Sequence, residues 1–386
     1  MSADIAHAKM AEPFDDELEE SHERVELAGP WQLFWRKFRK HRVALWSLIV
    51  VVLIYLIALF ADFLAPYDPT AANPRAIYAP PMALHWVLPT EDGGWRIKPH
   101  VYDYKSKFDP VTLARSFEPD PTKIIEIDFF AKSAPYNMFG FIPVDRTFIG
   151  PAKKRDRFYL LGADRQGRDL LSRLILGTRV SMSIGLVGVT VSLVLGIVLG
   201  GISGYYGGFI DNIIQRVIEL LQSVPTIPLW MGLAAAIPLT WSPLTVYFMI
   251  TVILSLIGWT TLARQVRSKF MALKHEDFVT AARLDGVSEM KIILGHMVPS
   301  FTSHIIASVT LAIPVMILSE TALSFLGIGL RSPVVSWGVL LQEAQNVRTI
   351  AQAPWLFWPG AAVVVAVLAL NFLGDGLRDA ADPYRR

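Results

Sequence analysis

The sequence contains no cysteine among its 386 residues. That absence excludes disulfides, thiolate metal sites and cysteine nucleophiles together. Charge is sparse as well: Asp, Glu, Lys and Arg make up only 18% of the chain, and the formal net charge is +2. A chain so close to balance offers no broad basic field for nucleic acid, so its cations matter through where they stand. Catalytic signatures are also missing. There is no GxxxxGK[ST] loop for ATP phosphates, no HExxH metal pair and no nucleophile elbow, so neither an enzyme nor a resident metal or cofactor is expected. What is abundant is apolar: 53% of residues are hydrophobic, many in long uncharged runs, and these place the chain in a membrane.

A spanning helix needs about 20 mostly apolar residues. Val43 to Ala65 supplies the first, and it is uncharged until Asp62. Before it come an acidic stretch, Pro13 to Glu26, and a basic, aromatic one, Trp31 to Arg42 (WQLFWRKFRKHR). Residues 1–42 therefore read as a solvated tail and an interfacial helix that holds the N-terminus in the cytoplasm. After Pro66 the composition turns to Pro, Trp, Tyr, Lys and Asp with short mixed segments such as KIIEIDFFA. Residues 66–176 are predicted to form a water-exposed insertion of short strands and turns, on the periplasmic side if the N-terminus is inside. Its Tyr78, Trp86, Trp95, Tyr102 and Tyr104 suit a small domain's core or stacking on sugar rings.

Five further helices are predicted over residues 177–377: Val180–Ser203, Ile210–Ala236, Leu244–Leu262, Ile305–Gly327 and Trp355–Leu373. The fold class is thus an all-α membrane protein of six spans with a β-containing insertion after the first. An even number puts both termini on one side. The charged segment 264–300 and the tail 378–386, with Arg378, Arg385 and Arg386, fall on that same side, as the positive-inside bias requires. Gly196, Gly200 and Gly204 lie on one stripe of the second helix and permit close backbone approach. In the third, Gln222, Pro225 and Pro228 mark either a kinked pore helix or an irregular packed one.

The segment RQVRSKFMALKHEDFVTAARLDGVSEMKIILGHMVPS, Arg264 to Ser300, reads as a helix, a stop and a second helix. Gly286 can take the positive φ that ends the first, Ser288 can cap the next, and Glu289 sits in its first turn. Periodicity alone fits either an amphipathic loop on the membrane surface or an elbow projecting into the cytoplasm. Within it, TAARLDGVSEMKIILGHMVP resembles the EAA signature of ABC importer permeases at Ala281, Ala282, Gly286 and Pro299. Thr280 stands where that signature usually has glutamate, a departure also found in the peptide and oligopeptide branch. Four more stretches, LGADRQGRDLLSRLILGTRVSMSIGL, GYYGGFID, LSETALSFLGIGL and NFLGDGLRDAADP, are similar to the C-type permease subunit of dipeptide and oligopeptide importers. The similarity covers Trp31 to Tyr67 and Tyr159 to Arg386; the insertion has no counterpart in the usual short loop.

The resemblance implies the type I ABC importer fold and a bacterial inner-membrane location. It implies that the elbow sits in a cleft of a nucleotide-binding subunit, with Thr280, Ala281, Ala282, Gly286 and Pro299 as coupling positions. Glu276, Asp277, Arg283 and Asp285 are either polar contacts there or an ordinary solvated face. Implied partners are a second, B-type permease subunit, one or two ATPase subunits carrying ATP and Mg, a periplasmic solute-binding protein and membrane lipid, but no nucleic acid. The cargo is peptide, or an oligosaccharide or other small solute. An ion-coupled transporter or channel is the competing class, and it predicts several membrane charges rather than a docking elbow. Glu320 in the fifth helix is such a charge, and faces either a wet path or a local set of hydroxyls such as Ser319, Thr321 and Ser324; Glu219 in the third helix poses the same question.

Overall fold

The computed structural model describes residues 30–89, 94–108, 115–238 and 240–381. The acidic stretch Pro13 to Glu26, and Arg385 and Arg386, lie outside the described residues. Helix α1 (Pro30–Lys40) stops where His41 turns out of helical geometry and its Nδ1 accepts from the Ala44 N–H at 3.1 Å, capping α2 (Arg42–Leu59). Arg39 lies 5.3 Å over the Trp35 ring, while Phe38 is buried against the bundle. A short α3 (Ala61–Leu64) follows.

The insertion is an antiparallel meander, β1 (His85–Pro89), β2 (Trp95–Phe108), β3 (Arg115–Met138) and β4 (Ile142–Pro151), in that spatial order. Val101, Ile125 and Ile127 point from it onto Ala79, Met82 and Phe158, which forms a small separate core. Of the five aromatics singled out above, Tyr78 and Tyr104 pack into such cores, Tyr102 lies tilted against His85 with ring centroids 4.9 Å apart, and Trp86 and Trp95 are exposed.

The rest is helical: α4 (Leu170–Tyr206), α5 (Gly208–Ser223), α6 (Thr226–Ala235), α7 (Pro243–Leu273), α8 (Asp277–Leu284), α9 (Glu289–Ile292), α10 (Thr302–Phe325), α11 (Trp337–Gln342) and α12 (Trp358–Ala381). Among the described residues five helices are long and apolar enough to cross a membrane, or six with α5 and α6 taken as one broken span. That pair corrects the single helix expected over Ile210–Ala236. The axis bends by 87° because Pro225 has no N–H to give, and its ring forces Val224 into extended backbone at ψ 132°. Pro228, in the first turn of α6, removes only a donor that has no partner there anyway. A second correction concerns 170–176, assigned above to the insertion. These residues are the first two turns of α4, capped by Asp169, whose carboxylate accepts from the Ser172 N–H at 2.7 Å.

Helices α4 and α7 pack backbone to backbone along the glycine stripe. A Cβ on Gly200 would collide with the Ala263 carbonyl and lie 2.9 Å from its Cα; one on Gly204 would stand 2.6 Å from the Arg267 oxygen. At Gly196 the obstacle is only the Leu262 side chain. Gly200→Ala is therefore expected to lower stability by about 1–3 kcal/mol, the usual result of overpacking, whereas Gly232→Ala, with nothing within 4 Å, should be neutral or slightly stabilising. Thermal unfolding of the two variants in detergent checks this, and equal melting temperatures would contradict the packing.

Candidate functional site

The elbow begins where α7 ends at Leu273, with the Lys274 N–H still bonded to the Phe270 carbonyl at 2.9 Å. On α8, Val279 and Ala282 are one turn apart and both are buried, while Glu276, Asp277, Thr280, Ala281, Arg283 and Asp285 are exposed. The helix closes in a Schellman arrangement: the Val287 N–H reaches the Ala282 carbonyl at 3.1 Å and the Gly286 N–H the Arg283 carbonyl at 3.0 Å. This closure needs the left-handed φ of +74° that Gly286 adopts. Ser288 takes the N-cap position of α9, but its side chain makes no cap bond, contrary to expectation. Pro299 then leaves its mark upstream. With no N–H and a ring that displaces the preceding turn, it follows a π-helical stretch over Ile293–Met297, so the second helix is not regular.

Between them the two helices carry Val279, Ala282, Ile292, Ile293 and Met297 onto Tyr205 of α4 and Val266 and Phe270 of α7. Each large side chain fully buried there contributes about 1.5–3 kcal/mol, which fastens the elbow to the ends of the two longest helices. Two polar tethers reinforce the seat. The Arg283 guanidinium lies 5.2 Å over the Tyr205 ring, and the Tyr206 hydroxyl donates to Glu289 Oε2 at 2.8 Å. Ala282 is consequently not available for close approach by another molecule: it faces inward, and Ala281 alone of the pair faces out. The outer surface instead carries Phe278, Leu284, Met290 and Leu294, with Leu284 84% exposed. An apolar group of this size on a charged elbow marks an interaction surface.

Just above, Gly207 and Gly208, at φ +67° and +56°, turn the chain sharply from α4 into α5. The turn brings Asp211 to Arg267 of α7 in a two-pronged pair, Nε to Oδ1 at 2.6 Å and Nη2 to Oδ2 at 2.5 Å, with Ser203 and Gln215 completing the set. Tyr205, Tyr206, Asp211 and Arg267 were not singled out from sequence. The signal was the GYYGGFID motif itself, whose glycines announce a turn without saying what the turn presents.

The candidate path residues Glu320, Gln222 and Glu219 each have side-chain partners. Glu320 is fully buried, its Oε1 accepting from Ser324 and Ser336 at 2.7 Å each, and Ser181 of α4 approaches Oε2 at 3.5 Å. Ser181 also accepts from the Trp337 N–H at 3.0 Å. Glu320 thus clamps α4, α10 and the segment leading into α11. Of the neighbours expected to help, only Ser324 does; Ser319 bonds its own helix at Val315, and the Thr321 hydroxyl has no partner. Gln222 donates to Thr260 at 3.0 Å and holds α5 to α7, and Glu219 pairs with Arg216 on an exposed face. None of the three lines the cavity of about 530 Å³ between α4, α6, α7, α10 and the end of α12, whose polar lining includes Ser192, Thr261, Gln265, His304, Ser308 and Arg378.

At the opposite end a second buried network ties the insertion's base to the helices. Asp164 binds Arg173 and, at 2.6 Å, Arg168; both arginines also reach Glu343 Oε1 at 3.2 Å. Next to it, burial pushes Asp169 up to about 6 despite the Ser172 bonds that favour its ionised form.

The clamp at Glu320 has a measurable consequence. Glu320→Leu strands the Ser324 and Ser336 hydroxyls and should cost about 1–3 kcal/mol for each buried polar group left unsatisfied. Glu320→Gln retains an acceptor and should transport at near the parental rate per folded molecule. A Glu320→Gln protein that is stable yet inactive would return the residue to the path.

Residues 196–386 match the family model described as binding-protein-dependent transport system inner membrane component, and residues 29–81 match the N-terminal TM domain of oligopeptide transport permease C. The oligopeptide transport system permease protein OppC of Escherichia coli K12 is 35% identical over 68% of this chain and 85% of its own length. OppC of Haemophilus influenzae is 35% identical over 67% and 82%. The glutathione transport system permease protein GsiD of Escherichia coli O1:K1 is 29% identical over 93% and 92%. A solved structure of inward facing conformations of the MetNI methionine ABC transporter aligns with a TM-score of 0.41 and 17% identity, over 54% of this chain and 96% of that one. With residues 29–81 and 196–386 matched by family models and OppC of Escherichia coli K12 35% identical over most of its length, the chain belongs to the family of inner membrane components of binding-protein-dependent transport systems.

Proposed function

We propose that this chain is the C-type permease subunit of an ATP-driven importer of peptides, forming half of a translocation path completed by a second, B-type permease. The relatives that carry oligopeptide and glutathione in their names support peptide as the cargo class. ATP and Mg belong to one or two ATPase subunits, and a periplasmic binding protein delivers the solute. The observation that carries the reading is the elbow: a rigid two-helix unit seated on α4 and α7, with Phe278, Leu284, Met290 and Leu294 presented outward. A push on that face moves the helix ends as one body, because packed cores shift between arrangements rather than deform continuously.

Both termini are read as cytoplasmic and the insertion as periplasmic. In support, the C-terminal end of α12 meets α1 and the start of α2, where a Cβ on Gly376 would collide with Ala44. Basic Lys37, Arg39, Lys40 and Arg378 gather at that end. The insertion leaves from the other end, where Asp62 pairs with Arg179 at 2.9 Å. Its sheet is read as a dock for the binding protein or a cover over the outer mouth, presenting Trp86, Trp95 and Ile97.

Leu284→Asp on the assembled importer should weaken ATPase docking by about 2 kcal/mol, roughly thirtyfold, as for loss of an anchoring apolar contact. Gly286→Pro, which cannot reach φ +74°, should abolish peptide uptake while membrane insertion persists. Uptake surviving both changes would defeat ATP-driven coupling through the elbow and favour a transporter that works alone. For the sheet, replacing residues 85–151 by a short linker should leave 66–84 and 152–169 packed on the bundle and reduce binding-protein-dependent uptake. Unchanged uptake by a correctly inserted protein would remove the docking role.

A further inference from the structure

The β3–β4 hairpin folds back along α3 toward the end of the apolar helix α2. In its body, Phe130 and Phe148 each lie 6.0 Å from the ring of Phe63 on α3. Nearer the tip, Phe139 meets Phe60, the first residue beyond α2, at 5.9 Å edge to face. Moving along the hairpin toward its turn thus means moving back along the chain toward the apolar helix. Beyond that contact the tip is apolar and open: Phe141, its ring 6.4 Å from that of Phe139, is 75% exposed, and Ile142 and Phe139 are also exposed. This surface is continuous with the outward face of α2, where Leu56, Leu59 and Phe60 are exposed as a membrane-spanning helix requires.

The turn carries independent evidence that its aromatic residue serves something other than folding. Phe139 and Gly140 both have positive φ, +57° and +83°, and the Phe141 N–H reaches the Met138 carbonyl at 3.3 Å. The strands are thus joined by a three-residue turn, Phe139 to Phe141, between the paired Met138 and Ile142, and the left-handed φ at its first position suits Asn, Asp or Gly and penalises a bulky side chain. A few residues back toward the sheet body, Lys132 and Arg146 face each other in register and are exposed, beside Asp145. Apolar and aromatic groups at the tip with cations one step behind match the layering of acyl chains and headgroups.

We propose that the β3–β4 tip, led by Phe139 and Phe141, is inserted in the membrane interface beside α2 and anchors the sheet to the lipid surface. The occupant is lipid because the patch continues the lipid-facing surface of a spanning helix. A sheet so pinned would hold a fixed tilt over the bundle and leave its β1–β2 end, with Trp86 and Trp95, in water.

The absence of cysteine makes a direct test available, since any introduced cysteine is unique in this chain and the partner subunits are used with their own cysteines replaced. Spin labels are placed at Phe141→Cys and Ile142→Cys, at Leu56→Cys as a bilayer reference, and at Lys107→Cys as an aqueous one. The full chain with its partner subunits is reconstituted in vesicles of phosphatidylcholine and phosphatidylglycerol. Labels at 141 and 142 should collide preferentially with oxygen over a water-soluble nickel chelate, with the same sign as at 56 and the opposite sign to that at 107. Nickel accessibility at 141 and 142 equal to that at 107 overturns the proposal. So does a label shielded from both reagents only after the binding protein is added, which would assign the tip to a protein partner. The label at 142, off the strained turn, keeps the result decisive if substitution at 141 disturbs folding.

Discussion

Close backbone approach of α4 and α7 is the constraint on which the rest of the architecture depends. In a bilayer the lipid tails are as apolar as the side chains, so helices gain little by hiding leucine from lipid. Association rests on contact made by removing side chains altogether, and Gly200 and Gly204 allow the two backbones to touch at Ala263 and Arg267. Because the elbow is seated on the ends of these same two helices, any looseness between them would be lost motion between a partner's push and the membrane. Under the proposed coupling through the elbow, the glycine stripe would be a mechanical feature as well as a packing one.

Polar groups then pin what dispersion alone would leave free to slide. Asp211 with Arg267 fixes α5 to α7 beside the elbow; Glu320 gathers hydroxyls from three segments within the bundle; Asp164, Arg168, Arg173 and Glu343 lock the base of the insertion at the far end. Each satisfied carboxylate in low dielectric is costly to undo, since separating the partners leaves a buried polar group without compensation. The cavity between α4, α6, α7 and α10, by contrast, is lined by a mixture of apolar side chains and separate polar ones such as Ser192, Gln265 and His304.

Much of this was legible in the residues. Helix existence followed from apolar runs, and the elbow's break followed from Gly286, because a positive φ is a local property of one residue. The insertion's strands could be inferred from turn residues and short mixed segments. What misled was any inference that needed a direction. Ala282 looked like a partner to Ala281 and points the opposite way; Glu320 read as facing either a wet path or nearby hydroxyls, and its partners are Ser324 from that local set together with Ser336 and Ser181, the last of them 139 residues away. The 87° break at Pro225 was visible as an irregularity but not as an angle.

The division has a physical basis. Hydropathy, charge placement, proline and glycine act over a few residues, so the sequence by itself determined the membrane class, the number of apolar segments, the elbow's hinge and the absence of thiol chemistry. Which faces meet depends on groups far apart in the chain, and the tertiary structure alone decided those. It turned Glu320 into a clamp, tied Tyr205 and Tyr206 to the elbow, and brought the β3–β4 tip down beside Phe60, because each needs the closure of long loops that only the collective packing of the bundle stabilises.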